Sequence, residues 1–113
     1  MIVIASDHAG VDLKADLVTV IQDCGREVRD LGPADTASVD YPDFAHRVAS
    51  IVASGEAEAG VLICGTGIGM SLAANKHPGI RAALCHDAFT AEMARRHNDA
   101  NVLCVGARVT GSD

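Results

Sequence analysis

The chain has 113 residues, a formal net charge of −6 and 49% hydrophobic residues, of which only Tyr41, Phe44 and Phe89 are aromatic. That length suits one domain around one modest core, and the acidic balance argues against a nucleic acid or an anionic membrane surface as partner. The first residues, Met1-Ile2-Val3-Ile4-Ala5-Ser6, lack the basic start of a signal peptide, and no apolar run is long enough to span a bilayer. Cys24, Cys64, Cys85 and Cys104 show no CxxC spacing, so neither a zinc site nor a disulfide framework is expected. These features together predict a soluble, reduced, cytoplasmic protein.

Short apolar runs alternate with amphipathic stretches of helix length. Residues 2–5 are the first expected strand. Leu13, Leu17, Val20, Ile21 and Cys24 recur at spacings of three and four, which predicts a helix ending near Gly25. A short second strand over 27–30 stops at Leu31-Gly32-Pro33, and the polar stretch to Asp40 reads as a loop. Pro42 opens a second helix with Phe44, Val48, Ile51 and Val52 on one face, closed by Gly55. Residues 60–64 are apolar throughout and read as a central strand. A helix to about residue 76, a strand over 80–85, a helix over 88–97 and a strand over 102–105 complete the chain.

This alternation predicts a single α/β domain over residues 1–113, with a Rossmann-like five-stranded parallel sheet between two layers of helices. Ligands in such sheets bind beyond the carboxyl ends of the strands, where the strand order reverses. In the common order 2-1-3-4-5 that point lies between the first and third strands. Asp7-His8 follows the first strand and Cys64-Gly65-Thr66-Gly67 the third, so both fall on one crevice.

The run Cys64-Gly65-Thr66-Gly67-Ile68-Gly69-Met70-Ser71 carries the strongest chemical signal. Alternate glycines let the backbone approach a ligand, and the helix start behind them favours an anion and a thiolate at Cys64. The bland alternative is a tight turn behind a buried cysteine. A dinucleotide fingerprint is a further rival, supported by Asp87 downstream, but it needs glycine where Met70 stands and should follow the first strand. Asp7 could bind substrate or merely cap a helix, whereas a cap gives no reason for the imidazole of His8. His97 could do acid–base work or act as a cation at a helix C-terminus. Arg108 could hold a phosphate or be an ordinary surface arginine. His46, His77 and His86 read as surface or packing residues.

Six segments in order, Ser6-Asp7-His8-Ala9-Gly10, Asp40-Tyr41-Pro42, Ile63-Cys64-Gly65-Thr66-Gly67-Ile68-Gly69, Ala73-Ala74-Asn75-Lys76, Gly79-Ile80-Arg81-Ala82 and His97-Asn98-Asp99, resemble the ribose-5-phosphate isomerase B family, which includes the galactose-6-phosphate isomerase subunits. The resemblance spans essentially the whole chain. It implies an aldose–ketose isomerase with no metal or organic cofactor, acting on a small sugar phosphate as a homodimer or tetramer. By position, Cys64 would move the proton between C2 and C1, Thr66 would relay protons between the two oxygens, and His97 would assist ring opening. Asp7, Tyr41 and Asn98 would position the sugar, and His8 and Arg108 would hold its phosphate. Amides from Gly67 through Ile68, Gly69 and Met70 to Ser71, beside Gly65, would stabilise the enediolate. A family branch that lacks the cysteine places a glutamate at the position of Met70, so this chain fits the cysteine branch. Allose 6-phosphate, galactose 6-phosphate and tetrulose phosphates are alternative substrates, and a non-catalytic sugar-phosphate or nucleotide-binding module or a cysteine hydrolase is an alternative class. The resemblance also implies a C-terminal helix and tail with further arginines, which this chain is expected to lack.

Overall fold

The computed structural model describes residues 1–33 and 41–109, so the loop expected before Asp40 lies outside the described residues. The strands are β1 (Ile2–Ser6), β2 (Val28–Asp30), β3 (Ala59–Cys64), β4 (Ala82–Leu84) and β5 (Val102–Gly106). The helices are α1 (Val11–Asp23), α2 (Tyr41–Ala53), α3 (Ile68–Ala74) and α4 (Ala88–Asn98), with a single 3-10 turn at His8–Gly10 before α1. All strand pairs are parallel, with Ser6 beside Ile63 and Cys64 beside Gly106 at the carboxyl edge.

The strand order is β2-β1-β3-β5-β4, which corrects the expected 2-1-3-4-5 at its last two positions. β5 has five residues, all but Leu103 buried, whereas the three residues of β4 are only half-buried. A sheet flanked by helices buries its central strands on both faces, so the longer apolar strand takes the inner place. The reversal between β1 and β3 is unaffected.

Right-handed crossovers then place α1 and α4 on one face and α2 and α3 on the other. The α2/α3 face holds the larger core, with Val3, Ala5, Val48, Leu62, Met70 and Cys104 among its buried residues. Gly60 brings α2 close, since a Cβ there would stand 2.6 Å from a methyl of Val48. The other face buries Ile4, Val61, Ile63 and Val105 under Leu13, Leu17 and Ile21 of α1. α4 has no fully buried residue, and a cleft of about 490 Å3 separates it from α1. Val20 and Cys24, expected on the packed face of α1, line that cleft and are exposed.

Two elements stop short of their expected bounds. The Asn75 side chain accepts from Ala82 N–H at 2.8 Å and donates to Ala82 O at 2.9 Å, which ends α3 and marks the start of β4. Ile80 N–H turns back to His77 O at 3.2 Å instead of joining the ladder. Among the described residues no helix is long and apolar enough to cross a membrane.

Lys14 is a buried cation that periodicity did not reveal. From α1 its ammonium donates to the Asp30 carboxylate at 2.9 Å and to Pro33 O, tying the helix to the turn that follows β2. The same turn reaches β1 through Ser6 N–H and Gly32 O at 3.1 Å. Lys14→Met is expected to remove about 2 kcal/mol of stability, because it strands the Pro33 carbonyl and removes charge-assisted bonds. Asp30→Asn should cost less, since Asp30 is 43% exposed. Urea unfolding of the two variants checks that ranking.

Candidate active site

The carboxyl ends of β1, β3 and β5 meet at one crevice. Asp7 leaves β1 in an extended conformation and donates its N–H to Ile63 O at 2.9 Å, which pins it beside the end of β3. Its carboxylate accepts from Ala9 N–H at 2.9 Å and caps the 3-10 turn. The capping reading of Asp7 therefore holds, and the cap itself stands at the crevice. His8 is half-buried in that turn. Its Nδ1 and the neighbouring Ser6 Oγ are buried without a hydrogen-bond partner among the described residues.

Cys64 ends β3, buried, and accepts a hydrogen bond on Sγ from Gly67 N–H at 3.1 Å. Gly67 makes this turn possible. It has φ +83, and a Cβ there would lie 2.9 Å from the backbone carbonyl carbon of Val105. The end of β5 is equally crowded, since a Cβ on Gly106 would stand 2.5 Å from the Thr66 backbone. Neither position tolerates a side chain without displacing the loop that holds Cys64.

After β5 the chain turns over this loop, with Ala107 N–H on Cys64 O at 2.8 Å and Arg108 N–H on Gly65 O at 2.9 Å. A Cβ on Gly65 would meet the Arg108 guanidinium at 3.4 Å, so the arginine lies against the loop. Thr66 is exposed, and its Oγ1 accepts from Ile68 N–H at 3.2 Å. The expected row of five anion-binding amides is narrower than the sequence suggested. Gly67 N–H serves sulfur, Ile68 N–H serves Thr66, and Ser71 N–H returns to Gly67 O at 3.1 Å because α3 has begun. Gly69 and Met70 supply the amides of this row without a partner among the described residues. The Met70 side chain is fully buried in the core, and Ser71 Oγ donates to Ile68 O at 2.8 Å.

The structure brings Asp7, His8, Cys64, the 65–70 loop and Arg108 together, but not His97 and Asn98. α4 starts after β4 at the carboxyl edge and runs back, so these residues end at the amino edge of the sheet. There Asn98 O accepts from Arg81 Nε at 2.7 Å, one residue before β4 begins. Tyr41 opens α2, and its side chain is outside the described residues. Asp87 is an α4 cap: its carboxylate accepts from Thr90 N–H at 2.7 Å, which holds it below the usual carboxylate range. That role removes the support Asp87 lent to a dinucleotide site. Gly106 is the contributor that sequence reasoning missed. A glycine closing the last strand was the available signal for Gly106.

A thiol, a carboxylate and a guanidinium around a glycine loop, at the switch point of a doubly wound parallel sheet, form the candidate site of an α/β protein. The chain belongs to the ribose/galactose isomerase family, whose profile matches residues 2–113. Ribose-5-phosphate isomerase B of Escherichia coli is 49% identical over 105 residues, covering 93% of this chain and 70% of that protein. The structure of Clostridium thermocellum ribose-5-phosphate isomerase B matches with a TM-score of 0.96 and 53% identity, over 99% of this chain and 76% of that one. The type B ribose 5-phosphate isomerase of Trypanosoma brucei gives 0.95 and 53%, over 98% and 76%. The chain thus spans about three quarters of the length of these relatives.

Cys104, on β5, is a second buried thiol on the Cys64 face. Burial, reinforced by the neighbouring sulfurs of Cys64 and Cys85, pushes it from 9.0 up to about 12. It stays protonated at neutrality. A thiol whose folded value exceeds its unfolded value stabilises fully below the unfolded value and loses that contribution as pH climbs toward the folded one. The window therefore runs from 9.0 to about 12. Within it Cys104→Val should flatten the fall of stability by about 1.4 kcal/mol per pH unit, read from urea midpoints across the alkaline range.

Proposed function

We propose that this chain interconverts ribose 5-phosphate and ribulose 5-phosphate through an enediolate, with Cys64 as the proton-transferring group. The family, shared with ribose-5-phosphate isomerases B over nearly the whole chain, supports the reaction class. The observation that carries the role of Cys64 is its sulfur, held by Gly67 N–H beside Asp7 and Arg108. In the open-chain aldose the thiolate takes the proton from C2. The C2–H electron pair forms a C1–C2 double bond, and the C1 carbonyl becomes an oxyanion. Amides of the 65–70 loop stabilise that charge, and Thr66 relays the O2 proton to O1. The Cys64 thiol then returns its proton to C1 as the carbonyl forms at C2. Arg108 and His8 hold the phosphate, which fixes the reacting carbons over sulfur. The unpartnered His8 Nδ1 supports this assignment, because buried polar atoms as a rule have partners.

The active form we propose is a homodimer in which a second copy brings His97 and Asn98 to the crevice, where His97 assists ring opening. Two observations support it. These residues lie at the opposite edge of their own sheet, and Ile68, Leu72, Phe89 and Val109 are apolar side chains at least half exposed. Ile68 and Leu72 stand one turn apart on α3, directly behind the glycine loop.

Ribose 5-phosphate followed by NMR in D2O is expected to yield ribulose 5-phosphate with deuterium incorporation. In Cys64→Ala the exchange at C2 should vanish while substrate still binds; undiminished exchange would remove Cys64 as the base. Galactose 6-phosphate and allose 6-phosphate, run alongside, rank the substrates. Arg108→Ala and His8→Ala should each raise KM about ten- to a hundredfold with little change in kcat. A loss confined to kcat in steady-state assays contradicts the phosphate role.

A further inference from the structure

We propose that His46 and His77 form a surface binding site for one divalent transition-metal ion of the nickel, copper and zinc group, separate from the Cys64 crevice. The two residues are 31 positions apart and come from different elements. His46 projects from α2, and His77 stands three residues beyond the end of α3. His46 Nδ1 nevertheless lies 3.0 Å from His77 Nε2, with ring centroids 4.5 Å apart and planes tilted by 47°.

At that separation two neutral imidazoles share one proton, carried by one nitrogen and accepted by the other. A metal held by two imidazoles at about 2.0–2.1 Å, at cis or tetrahedral angles, spans a nitrogen–nitrogen distance of about 2.9–3.4 Å. The pair is therefore already spaced as a chelate. The ion takes the place of the shared proton, which moves to the far nitrogen of the ring that carried it. Each ring binds as a neutral ligand, and no proton is lost to solvent.

The surrounding structure holds both rings in place. α2 and α3 pack on one sheet face, His77 N–H donates to Ala74 O at 3.1 Å, and His77 O accepts from Ile80 N–H at 3.2 Å. Among the described residues no third histidine, cysteine or carboxylate joins the pair. His46 is exposed, so water completes the coordination shell. Two nitrogen donors select ions that favour imidazole over magnesium or calcium, which favour oxygen. The glycine loop lies at the start of α3 and the pair beyond its end, so the ion ties α2 to α3 without entering the crevice.

The test is calorimetric titration of the untagged full chain with Ni2+, alongside His46→Ala, His77→Ala and Cys24→Ser. The last variant removes the exposed thiol. The expected result is one ion per wild-type chain, unchanged in Cys24→Ser, and weakened about a hundredfold when either histidine is removed and chelation is lost. Ni2+ should also raise the melting temperature of the wild type and not of the histidine variants. Equal Ni2+ affinity in wild type and both histidine variants, or wild-type binding abolished by Cys24→Ser, overturns the proposal.

Discussion

The site depends on how closely the loop after β3 can lie against the end of β5. At Gly106 a Cβ would sit 2.5 Å from the Thr66 backbone, and at Gly67 it would press on Val105. At Gly106 the approach is backbone against backbone, with no flexible side chain to move aside. With both glycines in place, Gly67 N–H reaches the Cys64 sulfur and Ala107 N–H reaches the Cys64 carbonyl. Cys64 is thus clamped from both sides by main chain, which does not change rotamer. A thiol placed this way has little freedom to lose on meeting a substrate, which is the physical content of preorganisation.

Much of this was legible in the sequence. The five strands and four helices are the ones that periodicity predicts, with α3 and β4 shorter than expected, because each has a distinct apolar pattern and glycines or prolines punctuate the ends. The switch point was legible too, since Asp7-His8 and the Cys64 loop directly follow the two strands that flank it. The position of β5 was not. Residues 80–85 and 102–105 look alike as apolar runs. Only the competition of Asn75 and His77 for the backbone around residues 80–82 shortens the first and sends it to the edge. Such competition acts through side chains folded back from elsewhere and leaves no periodic trace. Lys14 was hidden for the same reason, since its partners at Asp30 and Pro33 follow the helix by a full strand and turn.

Candidate site residues divide by the direction of the elements that carry them. Residues at or just beyond the end of a strand reach the carboxyl edge, and Asp7, Cys64 and Arg108 all qualify. Residues at the end of a crossover helix return to the amino edge, which is where His97 and Asn98 stand. A motif read along the chain has no sense of edge. Six matching segments therefore identified the family while leaving open which of them meet within one molecule.

The inner place of β5 also orders events in time. β3 has β1 on one side, but its other edge stays open until residues 102–106 arrive, and among the described residues β4 pairs with nothing except β5. As the chain leaves the ribosome, every strand but the last can emerge and the sheet still cannot close. The apolar edge of β3 is then exposed to other nascent chains. The sheet can close only once residues 102–106 are available, and the pairing of β5 with β3 and β4 also lays Gly106 against Thr66. Completing the sheet and closing the loop that holds Cys64 therefore depend on the same strand.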